Sequence, residues 1–139
     1  MLAGVKPGLI APLLAVALAG CDGGSPDDDP KPVEGAAKGV AEAVSRLEVT
    51  TRERDYTAIC DDLFTASARR RAGGEDCAEL LRSQAGDVRR PSIRVVSIRI
   101  EGEKAEALVR TRAEGQDAVE ETVELLREGG GYRISALGE

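Results

Sequence analysis

The stretch Ser92–Ile100, which reads SIRVVSIRI, decides the fold of this chain because its apolar residues recur with a period of two. Alternation of this kind is typical of a half-buried β-strand. The apolar side chains fall into two opposite phases, and a β-bulge at Val95–Val96 would return all of them to one face of a sheet. These residues are Ile93, Val95, Val96, Ile98 and Ile100.

Three further strands are predicted downstream, each preceded by a turn that contains glycine. The turns lie at residues 101–104, 115–117 and 129–131, and the last strand ends near Leu137. Short turns join antiparallel neighbours, so the sequence predicts a four-stranded antiparallel meander. The residues expected on its inner face are Ala105, Ala107, Val109, Thr111, Ala113, Val119, Val123, Leu125, Tyr132 and Ile134.

The chain upstream of the strands has the periodicity of amphipathic helices. A first helix is predicted over about 33–51, and a second over 56–72 with Asp55 as its N-cap. Gly73-Gly74 ends that pattern, and a short third helix follows. The expected buried residues are Val33, Ala37, Val40, Val44, Leu47 and Thr51, then Tyr56, Ile59, Cys60, Leu63 and Phe64, then Cys77, Leu80 and Leu81.

Helices followed by a meander predict an α+β fold, with the N-terminal helices packed on one face of the sheet. A strongly bent sheet wrapped on these helices would form a cone with an open mouth. The segment 33–139 has about 105 residues and is large enough for a single core. We therefore predict one domain over this segment.

The stretch Leu18-Ala19-Gly20-Cys21 resembles the lipobox of bacterial lipoproteins. Lys6 and the uncharged apolar run Leu9–Ala19 precede it, and that run is too short to span a bilayer. The resemblance implies that residues 1–20 are removed as a signal peptide and that Cys21 receives acyl chains, palmitate among them. The protein would then be anchored to the cell membrane on its extracytoplasmic face. The alternative is an ordinary signal peptide cleaved near the same place.

Residues 21–32 are predicted to be the lipidated cysteine and a flexible acidic tether. Asp22–Pro32 contains four Asp, three Pro and two Gly and has no large apolar residue, so it cannot bury enough surface to fold. The whole chain has a net charge of −6, which disfavours nucleic acid as a partner. Attachment to the lipid bilayer would therefore depend on acyl chains, of which two or more give stable anchoring.

Cys60 and Cys77 are expected on the inward faces of neighbouring helices. Outside the cytoplasm such a pair is typically oxidised, so we predict a structural disulfide. Two buried free thiols and a chemical role are the alternatives. A zinc site would need about four ligands and the chain has no His, while a redox site usually contains Cys-x-x-Cys. We therefore expect no metal and no cofactor.

Several of these features together resemble small secreted members of the nuclear transport factor 2-like superfamily. They are the order of the elements, the Asp55-Tyr56 entry to the second helix, the two cysteines and the closing Gly131-Tyr132-Arg133-Ile134. Such proteins often have Trp where Tyr132 stands. The resemblance implies a cone-shaped domain, and enzymes of the superfamily, such as ketosteroid isomerase, place an acid or base in the apolar cone.

Glu121 is the one candidate here for such an acid or base, because it shares the strand phase of Val123 and Leu125. We expect a pocket formed by Glu121 with Tyr56, Tyr132 and Phe64. The alternatives are that Glu121 meets water near a strand end, or that it pairs with an arginine of another strand, Arg110 or Arg112. The chain has no His to shuttle protons near neutral pH.

These observations predict a non-catalytic binding or interaction module, anchored to the membrane and facing outside. Its expected partner, besides the bilayer, is a small apolar ligand or an envelope protein. The alternative is a small lyase or isomerase that acts on an apolar metabolite in the cone, which has only the fold analogy and Glu121 to support it. The resemblance also makes a homodimer through the open sheet face plausible.

Overall fold

The computed structural model describes residues 35–138, so the predicted signal peptide, Cys21, the tether and Val33 lie outside the described residues. In the described part, helices come first and strands follow, as the sequence predicts. The helices are α1 (Ala36–Glu53), α2 (Tyr56–Ala58), α3 (Ala66–Arg71) and α4 (Cys77–Ala85). The strands are β1 (Ser92–Glu101), β2 (Lys104–Arg112), β3 (Val119–Glu128) and β4 (Gly131–Leu137).

The strands form one curved antiparallel sheet in the order β1-β2-β3-β4, which confirms the predicted meander and the α+β class. The turn between β3 and β4 consists of Gly129 and Gly130, with φ angles of 58° and 84°. A two-residue hairpin turn with positive φ at both positions matches the right-handed twist of the strands, and glycine adopts it without steric cost.

A β-bulge interrupts β1 at the predicted position. Val95 pairs with Val109 and Ser97 with Leu108, so Val96 is the extra residue. Ile93, Val95, Ile98 and Ile100 are half-buried on the inner face, whereas Val96 is 52% exposed. The expectation that Val96 joins the inner face is therefore wrong, because the unpaired bulge residue is the one that turns outward.

The core lies between α1 and the inner face of the sheet. On β2 the inner residues are the small Ala105 and Ala107 together with Val109, and all three are buried. Small side chains here let α1 approach the sheet closely. Val119 was expected inside but is 51% exposed, because it is the first residue of β3 and the helices do not cover that strand end. The buried residues of α1 are Val40, Ala43, Val44 and Leu47.

The second predicted helix is not continuous. The side chain of Asp55 accepts a hydrogen bond from the Ala58 N–H at 3.0 Å and caps α2, as predicted. A π-helical turn, Ile59–Leu63, then follows, and Phe64 is extended. Thr65 begins α3 by accepting a hydrogen bond from the Ala68 N–H.

Contact with β4 explains this break. Phe64 forms a parallel bridge with Ile134, and the Thr65 N–H donates to the Ile134 carbonyl at 2.9 Å. The backbone therefore leaves the helix to hydrogen-bond the free edge of the sheet. The expected apolar residues remain buried, since the break keeps them on the same side: Tyr56, Ile59, Cys60, Leu63 and Phe64.

Cys60 and Cys77 form a disulfide that joins the π-helical turn to the start of α4, as predicted. Both residues are buried. Leu80 was expected beside Cys77 but is 43% exposed, so that expectation is wrong. Leu81, one residue further along α4, is the one that packs against the core.

Candidate functional site

An apolar cavity of about 190 Å³, here called the inner cavity, lies between the helices and the inner face of the sheet. Its wall is formed by α1, the segment that contains α2, the end of α4 and the first three strands, together with the end of β4. The lining residues are Leu47, Thr51, Tyr56, Ile59, Phe64, Leu81, Ala85, Ile93, Val109, Thr111, Glu121 and Leu137.

A second cavity of about 360 Å³, here called the mouth cavity, adjoins the first. It extends past the end of α4 to the turn between β2 and β3, where Asp117 and Gln116 lie. The two cavities share part of their lining and are therefore neighbours. The shared residues are Thr51, Ala85, Ile93, Thr111 and Glu121.

Glu121 lies at the junction of the two cavities. It is on β3, opposite Val109 of β2, and it points to the same face as the buried Val123 and Leu125. Among the described residues that line the inner cavity, it carries the one ionisable carboxyl group. The residue is half-buried and lines both cavities.

Neither arginine considered as a partner for Glu121 forms an ion pair with it. Arg110 and Arg112 are exposed, and the alternation of β2 places them on the face opposite to Val109 and Thr111, although Arg112, the last residue of β2, also lines the mouth cavity. Within residues 35–138, no Lys or Arg nitrogen lies within 4.0 Å of the Glu121 carboxylate. This carboxylate is therefore open to a ligand or to water.

Tyr56 and Phe64 line the inner cavity together with Glu121, so three of the four residues proposed for the pocket come together. Tyr56 is buried, and its hydroxyl donates to the Ala85 carbonyl at 3.4 Å. The Arg82 guanidinium lies 6.0 Å from the centre of the Tyr56 ring, at the outer limit of a cation–π contact. Both aromatic rings therefore serve as walls of the cavity.

Tyr132, the fourth residue proposed for the pocket, does not lie with the other three. Its ring packs against α1 at Gly39, where an added Cβ would come within 3.1 Å of the ring. Its hydroxyl oxygen is buried and has no hydrogen-bond partner among residues 35–138. Tyr132 is therefore part of the contact between α1 and β4 and does not line either cavity.

Sequence reasoning did not assign Thr51, Ala85 and Thr111 to the pocket, although all three line both cavities. The two threonine hydroxyls are already used, since Thr51 donates to the Leu47 carbonyl at 2.6 Å and Thr111 to the Val119 carbonyl at 3.4 Å. Their inward phase was visible in the sequence. No pattern in the sequence indicated that Ala85 faces the cavities, because its position depends on where α4 ends.

A larger hollow of about 440 Å³ lies on another side of the molecule, beside Cys60. Its walls are charged, and two of its arginines are engaged within the protein. Arg69 pairs with Asp61 at 3.2 Å, and Arg133 lies 3.8 Å from a Glu128 carboxylate oxygen. The smaller inner cavity is a better candidate site because its wall is apolar and its single carboxylate is not paired.

No cluster of three or more His, Cys, Asp or Glu side chains is arranged to hold a metal ion within residues 35–138. None of the helices there is long and apolar enough to cross a membrane.

The arrangement of helices on the curved sheet is shared with solved structures. A protein of unknown function from Shewanella baltica OS155, described as NTF2-like, matches with a TM-score of 0.53 at 13% identity, over 72% of this chain and 88% of that one. The domain has the NTF2-like fold. A de novo designed NTF2 fold protein has a TM-score of 0.47 at 14% identity, over 76% of this chain and 87% of that one.

At such identities the likeness shows the fold alone. No protein-family model matches the sequence, and no curated protein matches it either. The NTF2-like fold accounts for the position of the two cavities, since they occupy the space between the helices and the concave face of the sheet. The lining residues determine which ligand can bind there.

Proposed function

We propose that this protein is an extracytoplasmic lipoprotein, anchored to the membrane through Cys21, whose NTF2-like domain binds a small and mainly apolar ligand without transforming it. The observation that carries the proposal is the apolar inner cavity beside the mouth cavity, with the unpaired Glu121 carboxylate at their junction. A concave apolar site with a few polar groups is the usual form of a small-molecule site.

The size of the inner cavity limits the ligand. An apolar cavity of about 150 Å³ holds a molecule the size of benzene, so about 190 Å³ accommodates one ring or a short branched chain. Tyr56 and Phe64 supply flat surfaces against which such a group can pack. The apolar end of the ligand therefore occupies the inner cavity.

The Glu121 carboxylate restricts the chemistry of the other end of the ligand. An ionised carboxylate only accepts hydrogen bonds, so a ligand group next to it must be a donor or a cation. Ligands with an anionic end would be repelled at the junction. The preferred ligand is therefore an apolar group with an amine, amide or hydroxyl directed toward the mouth cavity.

Binding is favoured over catalysis because the site has one reactive group. The hydroxyls of Tyr56, Thr51 and Thr111 all donate to backbone carbonyls, so none is placed to pass a proton on to a ligand. The alternative is a lyase or isomerase in which Glu121 alone removes a proton from an apolar metabolite. Turnover of a bound ligand that stops in Glu121→Gln would favour this alternative.

Two further observations support the proposed location. The sequence Leu18-Ala19-Gly20-Cys21, with the apolar run before it, has the form that lipoprotein processing requires. The Cys60–Cys77 disulfide fits an oxidising compartment, because disulfides rarely persist in the cytosol.

The cavity proposal can be tested with two probes of similar shape, neutral toluene and cationic benzylamine, titrated into the full chain and followed by NMR. We expect both to bind the wild type. Glu121→Gln should weaken benzylamine about tenfold and leave toluene within about twofold, since it removes the charge but keeps the shape. Ala85→Leu should weaken both, because the added methyl groups occupy the junction of the cavities.

Ala36→Leu is the matched control, since Ala36 is the exposed first residue of α1 and lines neither cavity. Thermal unfolding would establish that each variant is folded. Binding of either probe that persists in Ala85→Leu, or a benzylamine affinity unchanged by Glu121→Gln, would contradict the assignment of the site.

A further inference from the structure

Three arginines form a cluster on the outer face of the sheet, on the side opposite to the inner cavity. Arg94 is on β1, and Arg110 and Arg112 are on β2. All three are exposed, as is Ser92 beside them. These four residues line a hollow of about 260 Å³ and are here called the arginine cluster.

The register of the sheet sets the spacing of the arginine cluster. Arg94 is directly opposite Arg110, and Ser92 is directly opposite Arg112. Residues opposite each other in an antiparallel pair have Cβ atoms about 5 Å apart, and residues two apart on one strand share a face. The three guanidinium groups therefore border one hollow from adjoining positions.

No described carboxylate neutralises these charges. Among residues 35–138, none of the three guanidiniums has a carboxylate oxygen within 4.0 Å. Arg110 is opposite Glu120 on β3, but the two side chains do not pair. Further along the same face, Arg99 pairs with Glu106 at 3.9 Å. On this face, Arg99 is therefore paired, whereas the three arginines of the arginine cluster are not.

Like charges directly opposite each other destabilise a strand pair. Three exposed guanidinium groups border one hollow, and none of them lies within 4.0 Å of a carboxylate oxygen, so the hollow attracts an anion. A carboxylate ligand would bring one negative charge to three cations. A phosphate group brings up to two charges and several oxygens, and the planar guanidinium fork binds such oxygens in pairs.

We propose that the arginine cluster binds a phosphate group. Arg110 is the central residue, because it is opposite Arg94 and two residues from Arg112 on one strand. The Ser92 hydroxyl supplies a further donor at the rim. The group is either a free phosphate or the phosphomonoester headgroup of a lipid, and the two sources share this chemistry.

The first arm of the test titrates inorganic phosphate into the purified full chain at constant ionic strength, with binding measured by calorimetry. We expect saturable binding that Arg110→Gln weakens at least tenfold. Arg99→Gln is the matched control: it removes the same charge from the same face, but Arg99 already has a carboxylate partner. Its affinity should stay within about twofold of wild type.

The second arm measures co-sedimentation of the full chain carrying Cys21→Ser with phosphatidylcholine vesicles, with and without phosphatidic acid. Binding to phosphatidic acid that depends on Arg110 identifies a lipid headgroup as the source. Binding of inorganic phosphate alone, with the same dependence, identifies a free phosphate.

The proposal is overturned if the full chain does not bind phosphate, or if Arg110→Gln binds phosphate as tightly as wild type does. Arg110 is exposed and contributes nothing to the core, so circular dichroism should show Arg110→Gln folded. Ser92 and Arg112 also line the mouth cavity, but Arg110 lines neither cavity, so the result for Arg110→Gln does not bear on the inner cavity.

Discussion

At the scale of single residues, Glu48 connects α1 to the edge of the sheet. One of its carboxylate oxygens accepts a hydrogen bond from the Ile93 N–H at 2.7 Å, and the other lies 2.6 Å from an Arg52 guanidinium nitrogen. Ile93 is in β1, an edge strand, and lines both cavities. Glu48 therefore satisfies an edge N–H group and holds one wall of the site in place.

Replacing Glu48 with Ala should lower the free energy of unfolding by about 2 kcal/mol, because hydrogen bonds to charged groups contribute about 1.5–3 kcal/mol. Urea denaturation of wild type and variant would measure the change. Glu42→Ala is the control: Glu42 makes an exposed pair with Lys38 at 4.0 Å, and loss of such a pair costs at most about 0.5 kcal/mol. Equal losses in the two variants would mean that the contact with Ile93 contributes nothing.

Single residues also show where sequence reasoning stops. The inward phase of Glu121 followed from alternation along β3, and the structure places its side chain at the cavity junction. Tyr56 and Tyr132 were equally good pocket candidates by the same reasoning. They differ because the ring of Tyr132 packs against Gly39 of α1, a contact across 93 positions of the chain that no local pattern reports.

At the scale of elements, the apolar pattern predicted burial better than it predicted backbone geometry. Every apolar residue expected on the second helix is buried, although a π-helical turn and an extended residue interrupt that helix. The interruption depends on the bond between Thr65 and Ile134 of β4, which is a long-range contact. The spacing of apolar residues indicates which side of a helical segment faces inward. It changes very little when the number of residues per turn changes over a few residues.

The exposed residues Val96, Val119 and Leu80 have a related explanation. An alternating or helical pattern marks a face but gives no information on how far the neighbouring element covers it. Val119 is at a strand end beyond the helices, and Val96 is the extra residue of a bulge whose position, but not whose orientation, was predictable.

The disulfide is the strongest link between elements. It closes a loop with a sequence separation of 17, from the π-helical turn to α4, whose last residue lines both cavities. Replacing both Cys60 and Cys77 with Ala should lower the free energy of unfolding by about 3 kcal/mol, since an unlinked chain gains entropy when it unfolds.

Urea denaturation without reductant would measure this loss. Wild type under strong reductant is the matched comparison and should fall by a similar amount. A double variant as stable as the oxidised wild type would show that the disulfide contributes nothing to holding these elements together.

At the scale of the whole molecule, the proposed lipid anchor decides where the domain works. Replacing Cys21 with Ser should move the protein from the membrane fraction to the soluble fraction, because it removes the proposed site of acylation and the acidic chain has no general attraction to anionic lipid. Fractionation and immunoblotting would measure the change. Cys60→Ser/Cys77→Ser is the control and should remain with the membrane, whereas membrane residence that persists in Cys21→Ser/Arg110→Gln would contradict the anchor.

The most direct test of the central claim is native mass spectrometry of the protein, extracted gently from the cells that make it. We expect a reproducible additional mass of one small molecule, present on the wild type and on Ala36→Leu and absent from Ala85→Leu. A wild-type domain that is always bare, or that carries only a second polypeptide, would contradict a ligand-binding cavity.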